Sequence, residues 1–329
     1  MAATLLDILS FLGIIVVGIL IWAALSPFEM LGWWAGWFGD KIYDEPIPSD
    51  GLVRIIHPDA DSYILFLSGV GRTSSKTLSY RERGFLERLA RALPRTVIID
   101  DLFPYSVNNL ALTGQPIFAR LWRQVLRWKQ NGPSVAGNLI NLRNIFQILM
   151  SADKRYGPLF NQGVAEVMMQ GLLRYQYDPK SKIPVILVAS SGAAQIAVGV
   201  TTYLREWIQA PVYTVGIGGV FGSDPGLLVM DQLYQLLGTR DSTVRWSNLD
   251  PGRWSIIALS NWNRARRQGK VTEISMGPMC HTGRGSYLDA KTMIKDGQTF
   301  VDKTVDTISD IVGTVTNRTP ATQISSPSV

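Results

Sequence analysis

Short apolar runs alternate with longer amphipathic stretches along most of the chain. Six runs read as strands: residues 63–67 (YILFL), 96–99 (TVII), 185–188 (VILV), 212–215 (VYTV), 232–237 (QLYQLL) and 271–275 (VTEIS). Between them, the spacing of apolar positions predicts helices over 80–92, 160–177, 193–207, 252–267 and 288–312. Strand–helix alternation with short apolar strands predicts an α/β fold, a mostly parallel sheet with helices on both faces. No internal repeat is visible.

The start of the chain follows a different pattern. Residues 8–25 (ILSFLGIIVVGILIWAAL) run for 18 positions without a charge or a proline. At about 1.5 Å per residue such a helix reaches about 27 Å, close to the apolar thickness of a bilayer. No Lys or Arg precedes the run, as a secretory signal would require, so it reads as an uncleaved, single-pass N-terminal transmembrane helix. A buried core helix is the alternative. Trp33, Trp34 and Trp37 follow where an interfacial aromatic belt is expected, and the anchor with this segment occupies residues 1–43. Lys41 and Arg54 lean the main domain toward the cytoplasmic side. Residues 44–50 (DEPIPSD) form a linker, the main domain spans 51–312, and the Ser/Thr/Pro-rich stretch 313–329 reads as a disordered tail.

Composition excludes several classes. With 329 residues, 46% apolar and 18% charged, the chain is neither disordered nor a coiled coil. One cysteine, Cys280, rules out an internal disulfide framework and a cysteine zinc site. Two histidines, His57 and His281, leave no histidine-rich metal centre, so neither metal nor organic cofactor is expected. The formal net charge is +6, and between Tyr105 and Arg155 seven basic residues face one acid, Asp153. The remainder is balanced, which argues against nucleic acid as a partner.

That basic stretch is also too long for one crossover. About eighty residues separate the second and third strands, so residues 106–157 read as a helical lid insertion. Inside it, 116–130 is an amphipathic helix, with Ile117, Phe118, Leu121, Trp122 and Val125 on one face and Arg120, Arg123 and Arg127 on the other. It could lie on an anionic membrane surface or pack on its own domain with a solvated basic face.

Candidate chemistry concentrates at strand ends. Residues 185–195 (VILVASSGAAQ) carry a buried strand into two serines, a glycine and an Ala-rich helix. This fits a nucleophile elbow, a tight strand-to-helix turn that exposes a serine hydroxyl and needs small residues two places to either side. Ser191 has Ala189 and Ala193 there, a better fit than Ser190 with Val188 and Gly192. A structural Ser–Ser–Gly turn is the alternative. His281 lies past the last strand and Asp241 past the one before it, the base and orienting acid that a serine needs.

In this order, Ser191, Asp241, His281, the sequence resembles the α/β-hydrolase superfamily over about residues 54–312. The resemblance implies Ser191 as nucleophile, His281 as general base and Asp241 as acid, with Asp224 the runner-up acid one strand earlier. It also implies an oxyanion hole formed by the backbone N–H groups of Val70 and Gly192, in the loop Ser68–Gly69–Val70–Gly71 and after the nucleophile. Alanines replace the usual elbow glycines, and Ser68 stands where family members often carry histidine. The expected function is a membrane-associated serine hydrolase cleaving an ester of an apolar, lipid-like acyl compound. Acyl transfer would use the same residues. A catalytically silent membrane scaffold, or an anionic-lipid binder acting through Arg120, Arg123 and Arg127, are the other readings, and protein partners stay unspecified.

Other motifs give way to simpler readings. Residues 68–77 lack the glycine that a phosphate loop places before its lysine, and Gly216–Gly222 is followed by Ser-Asp-Pro-Gly where a dinucleotide site needs a helix. Asp100 and Asp101 read as capping or salt-bridging residues, His57 as a surface or packing residue and Cys280 as packing.

Overall fold

Uninterrupted apolar runs require burial on both faces, and all six become strands of one parallel sheet. The computed structural model describes residues 27–37, 59–114, 119–131, 135–294 and 297–318, with isolated positions before residue 26. The strands are β1 (Ser62–Leu67), β2 (Thr96–Ile99), β3 (Val185–Ser190), β4 (Val212–Ile217), β5 (Gln232–Leu237) and β6 (Val271–Ser275), in the order β2-β1-β3-β4-β5-β6. Every pairing is parallel, with Leu67 opposite Ala189 and Ser190 opposite Ile217 at the carboxyl ends. The central strands β1 and β4 are buried throughout, whereas the edge strand β6 is half exposed.

Helices cover both faces. They are α1 (Pro27–Trp34), α2 (Tyr80–Ala92), α3 (Ala119–Asn131), α4 (Val135–Ala152), α5 (Gly157–Arg174), α6 (Ala193–Trp207), α7 (Gly226–Val229), α8 (Asn261–Arg267) and α9 (Phe300–Arg318). Alternate residues of each strand feed two separate cores. Tyr63, Leu65 and Leu67 of β1 join α5, α6 and the insertion helices on one face. Ile64 and Phe66 join Phe85 of α2 and Val301 and Ile308 of α9 on the other. A capping box starts α2: the Ser79 side chain accepts from the Glu82 N–H while the Glu82 carboxylate accepts from the Ser79 N–H. This architecture is compatible with an α/β-hydrolase fold.

Several expectations need correction. The helix expected over 252–267 shortens to α8, because Asp250 accepts from Gly252 N and turns Pro251–Arg253 into a 3₁₀ segment. The α-helix starts only where Ser260 Oγ accepts from Asn263 N, 3.2 Å. The helix expected over 288–312 begins at Phe300, since the Asp289 carboxylate gathers the N–H groups of Gly285 and Lys291 into turns. Its other end runs past Gly313 to Arg318, carried by buried Val312 and Val315, so only residues 319–329 of the expected tail lie outside the described part.

The insertion holds two helices, α3 and α4. In α3, Trp122 and Val125 are buried while Arg120, Arg123 and Arg127 are exposed, so the helix packs on its own domain with its basic face outward. Leu121 is exposed, at the margin of the face that Trp122 and Val125 bury. Ile117 and Phe118 lie outside the described residues. Arg143 of α4 is buried, donating from Nη1 to Tyr105 O, so one of the seven basic residues is internal.

The apolar run 8–25 lies outside the described residues apart from isolated positions, as do the linker 44–50, Lys41, Arg54 and His57. Among the described residues, no helix is long and apolar enough to cross a membrane. Of the three tryptophans after the run, Trp33 and Trp34 meet edge to face with ring centroids 5.5 Å apart. Trp33 packs against the domain core, facing Gly163 of α5, and Trp34 Nε1 donates to Leu159 O at 3.2 Å. Trp37 is exposed.

Candidate active site

All five loops that carry candidate residues leave the carboxyl ends of strands, so a single edge of the sheet gathers them. Ser191 follows β3 and adopts φ +57°, a backbone conformation uncommon for a residue with a side chain. Three hydrogen bonds fix it there. Ser191 N donates to Ile217 O, and Ser191 O accepts from Ala194 N and Val220 N. Ala189 and Ala193 are fully buried, leaving no room for larger side chains around the turn.

The Ser191 hydroxyl lies 2.8 Å from His281 Nε2. On the other side of the imidazole, Nδ1 stands 2.9 and 3.0 Å from the two oxygens of Asp241. The His281 ring is 17% exposed and the Asp241 side chain not at all. A buried carboxylate bonded to Nδ1 requires the proton on that nitrogen, which leaves Nε2 as the acceptor for the serine hydroxyl.

Burial alone would raise the Asp241 carboxyl. The hydrogen bond and charge of His281, the Tyr287 hydroxyl at 2.9 Å and the Thr243 N–H at 3.0 Å outweigh it and hold the group below its ordinary range. Tyr287 Oη in turn accepts from Gly238 N at 2.7 Å, and burial pushes its own phenol up. Gly218, at φ +54°, passes close to this pair: a β-carbon there would stand 2.7 Å from Asp241 Oδ2 and 2.8 Å from the Tyr287 ring.

No family model, curated protein or solved structure matches the chain. Its chemistry therefore rests on the site's own geometry.

The loop after β1 faces the elbow. A β-carbon on Gly69 would lie 3.8 Å from Ser190 O and from Ser191 Cβ, and one on Gly192 would collide with Ile148 of α4. Val70 N and Gly192 N have no protein acceptor among the described residues. Four hydrogen bonds hold this loop. Ser68 Oγ donates to the Glu82 carboxylate, Tyr105 Oη donates to Ser68 O at 2.9 Å, and Asn144 Nδ2 donates to Val70 O at 2.7 Å and Arg72 O at 2.9 Å. Arg72 is buried beneath it and donates to the carbonyls of Ser74, Ser75 and Asp100. Burial lowers its pKa, partly offset by the charges of Glu82, Asp100 and Asp101.

Asp224 does not reach the histidine. Its carboxylate accepts from Gln195 Nε2 at 3.1 Å and Gly226 N at 2.9 Å. Asp101 makes the salt bridge expected of it, 3.2 Å to Arg174, and Cys280 Sγ donates to the carbonyls of Thr282 and Arg284. Among the described residues, no cluster of His, Cys, Asp and Glu side chains could hold a metal ion. Trp33, Trp34, Trp37 and the α3 arginines take no part in the serine–histidine–aspartate contacts.

Sequence reading missed Tyr287, Thr243 and Asn144. Tyr287 carries only a faint signal, a buried phenol whose hydroxyl must find a partner. Asn144 stood inside an apolar run, where a buried amide has to satisfy backbone groups elsewhere.

Burial of Asp224 has a measurable consequence. Loss of hydration pushes its carboxyl up to about 6 despite the bonds from Gly226 and Gln195. The folded state then binds this proton more tightly than the unfolded state, so stability is full below the unfolded value near 3.8 and falls as pH rises toward 6. At about 1.4 kcal/mol per pH unit the loss is no more than about 3 kcal/mol. Urea midpoints between pH 4 and 7 should decline for wild type and flatten for Asp224→Asn. Parallel profiles would count against it.

Proposed function

We propose that the protein is a membrane-associated serine hydrolase that cleaves an ester of an apolar, lipid-like acyl compound. The observation that carries this reading is the continuous contact Ser191 Oγ–His281 Nε2–Asp241, with Ser191 held at positive φ above the sheet. Ser191 Oγ attacks the ester carbonyl as His281 Nε2 takes the hydroxyl proton. The tetrahedral oxyanion forms against Val70 N–H and Gly192 N–H. His281 returns the proton to the leaving alkoxide, which departs as the alcohol and leaves an acyl-serine. Water then attacks with His281 again accepting the proton, and collapse frees the acid as His281 returns that proton to Ser191 Oγ. Asp241 stays ionised, holding the tautomer and stabilising the imidazolium.

The apolar run 8–25 supports the membrane part of the proposal, as a tether that keeps the domain near an apolar substrate. Transfer of the acyl group to an alcohol would follow the same course, with the alcohol replacing water in the last step. Covalent labelling with a fluorophosphonate probe tests the reading. Detergent-solubilised wild type should label, whereas Ser191→Ala should not label and His281→Ala should label at a small fraction of the wild-type rate. A folded wild-type protein that stays unlabelled would favour the silent-scaffold reading.

A further inference from the structure

The segment that follows Asp241 displays large apolar side chains to the outside. Trp246, Leu249, Trp254, Ile256, Ile257 and Leu259 are all exposed, with Leu249 at 79%, Ile256 at 81% and Leu259 at 84%. Single exposed apolar residues are ordinary on a protein surface. Six within 14 positions of one connection are not.

The segment is held in place by specific contacts. Asn263 Nδ2 donates to Trp254 O at 2.8 Å and to Ile257 O at 3.0 Å, and Trp254 Nε1 donates to Asn248 O at 2.7 Å. Asp250 accepts from the N–H groups of Ser223 and Gly252. The Arg253 guanidinium stacks between Phe221 and Trp262, 4.7 and 3.4 Å from the ring centroids. Buried polar groups and one arginine thus fasten the inner side of the segment, leaving its leucine and isoleucine side chains outward.

Its charge has one sign. Between residues 240 and 267 there are six arginines and two acids, Asp241 and Asp250. Both carboxylates are used internally, the first on His281 and the second on backbone N–H groups. Arg240 and Arg245 before the apolar positions and Arg264 after them are exposed. Projecting aliphatic side chains with two tryptophans and an unopposed arginine fringe match the chemistry of an anionic bilayer surface: apolar groups reach below the headgroups and arginines stay among the phosphates.

We infer that residues 246–259 form an interfacial docking surface that enters an anionic lipid bilayer, setting the carboxyl edge of the sheet against the membrane. This holds whether or not Ser191 is a nucleophile. It is also separate from the arginine face of α3.

Bulk binding to vesicles cannot read this surface, because the apolar run 8–25 can tether the full chain by itself. A site-specific probe can. In the full-length Cys280→Ser protein, Leu259→Cys carries an environment-sensitive nitrobenzoxadiazole label. The comparison position is Lys180→Cys, an exposed residue just ahead of the amino end of β3. With vesicles of mixed phosphatidylcholine and phosphatidylserine, the label at 259 should shift to the blue. It should lose about half its intensity to brominated acyl chains, as befits a side chain about 5–10 Å below the headgroups. The label at 180 should do neither. Pure phosphatidylcholine, or Arg240→Gln with Arg245→Gln and Arg264→Gln, should reduce the quenching at 259 severalfold. Equal quenching at both positions, or none at 259, overturns the inference. Quenching at 259 that ignores both lipid charge and the three arginines overturns the anionic assignment. A blue shift without lipid that grows with protein concentration makes the surface a contact between copies of this chain, and overturns it too.

Discussion

Asp241→Asn should lower kcat for a chromogenic medium-chain ester by about 10⁴-fold while leaving the fold in place. The native carboxylate only accepts: from His281 Nδ1, from the Tyr287 hydroxyl and from Thr243 N. An amide of the same shape brings two N–H donors to one of those oxygen positions. An N–H facing Nδ1 makes that nitrogen the acceptor and moves the ring proton to Nε2, where it points at Ser191. The imidazole then cannot take the serine proton, although every heavy atom is where it was. On the proposed mechanism the carboxylate acts only through the imidazole, so the loss should fall on kcat and not on KM. A variant within tenfold of wild type in kcat would remove Asp241 from the mechanism, and a circular-dichroism spectrum unlike wild type would mark the loss as one of folding.

Gly238→Ala should lower both stability and rate, for a reason that lies between the acid and the base. The β5–Asp241 and β6–His281 connections continue side by side beyond the sheet: Met276 N donates to Leu237 O, Thr239 N to Gly277 O and Arg240 N to Met279 O. Gly238 sits where the two come closest. A β-carbon there would collide with Met279 O and lie 2.8 Å from Met279 C, backbone atoms that cannot swing aside. Parting the connections also strains the bond from Gly238 N to the Tyr287 hydroxyl. Overpacking of this kind costs about 3 kcal/mol, or about 5 °C in melting temperature for a domain of this size. Because the acid and base separate together with their loops, kcat should fall about 100-fold as well. Gly269→Ala is the comparison. That glycine has φ +71° but open space around it, and should cost about 1 kcal/mol with no change in rate. Equal effects of the two variants would mean that crowding at Met279 does not matter.

Much of this fold was legible because its elements carry local signals. Each strand is a short apolar run with a polar boundary, and α2 and α6 fall on the residues that their periodicity predicts. Ser191, Asp241 and His281 could be picked out because side chains that meet at one edge of a parallel sheet follow strands, and strand ends were easy to place. What escaped depends on partners distant in sequence. α4 has polar residues, Arg143, Asn144 and Gln147, on a buried side, so its amphipathic pattern is weak and no periodicity announces it. The segment 252–260 carries a helical apolar spacing, but Asp250 and Ser260 settle its backbone through bonds that spacing cannot register. Tyr287 meets Asp241 across 46 residues of chain, a contact made only once β5 and β6 are paired.

The amide of Asn144 joins two parts that a domain diagram would draw separately. It comes from the insertion, yet it holds the carbonyls of Val70 and Arg72 in the loop after β1. Cutting out residues 106–157 would therefore do more than widen the approach to Ser191: it would remove the amide that holds the loop after β1 in place. The same two bonds couple the positions of α4 and this loop, so a displacement of the helix would release the loop as well.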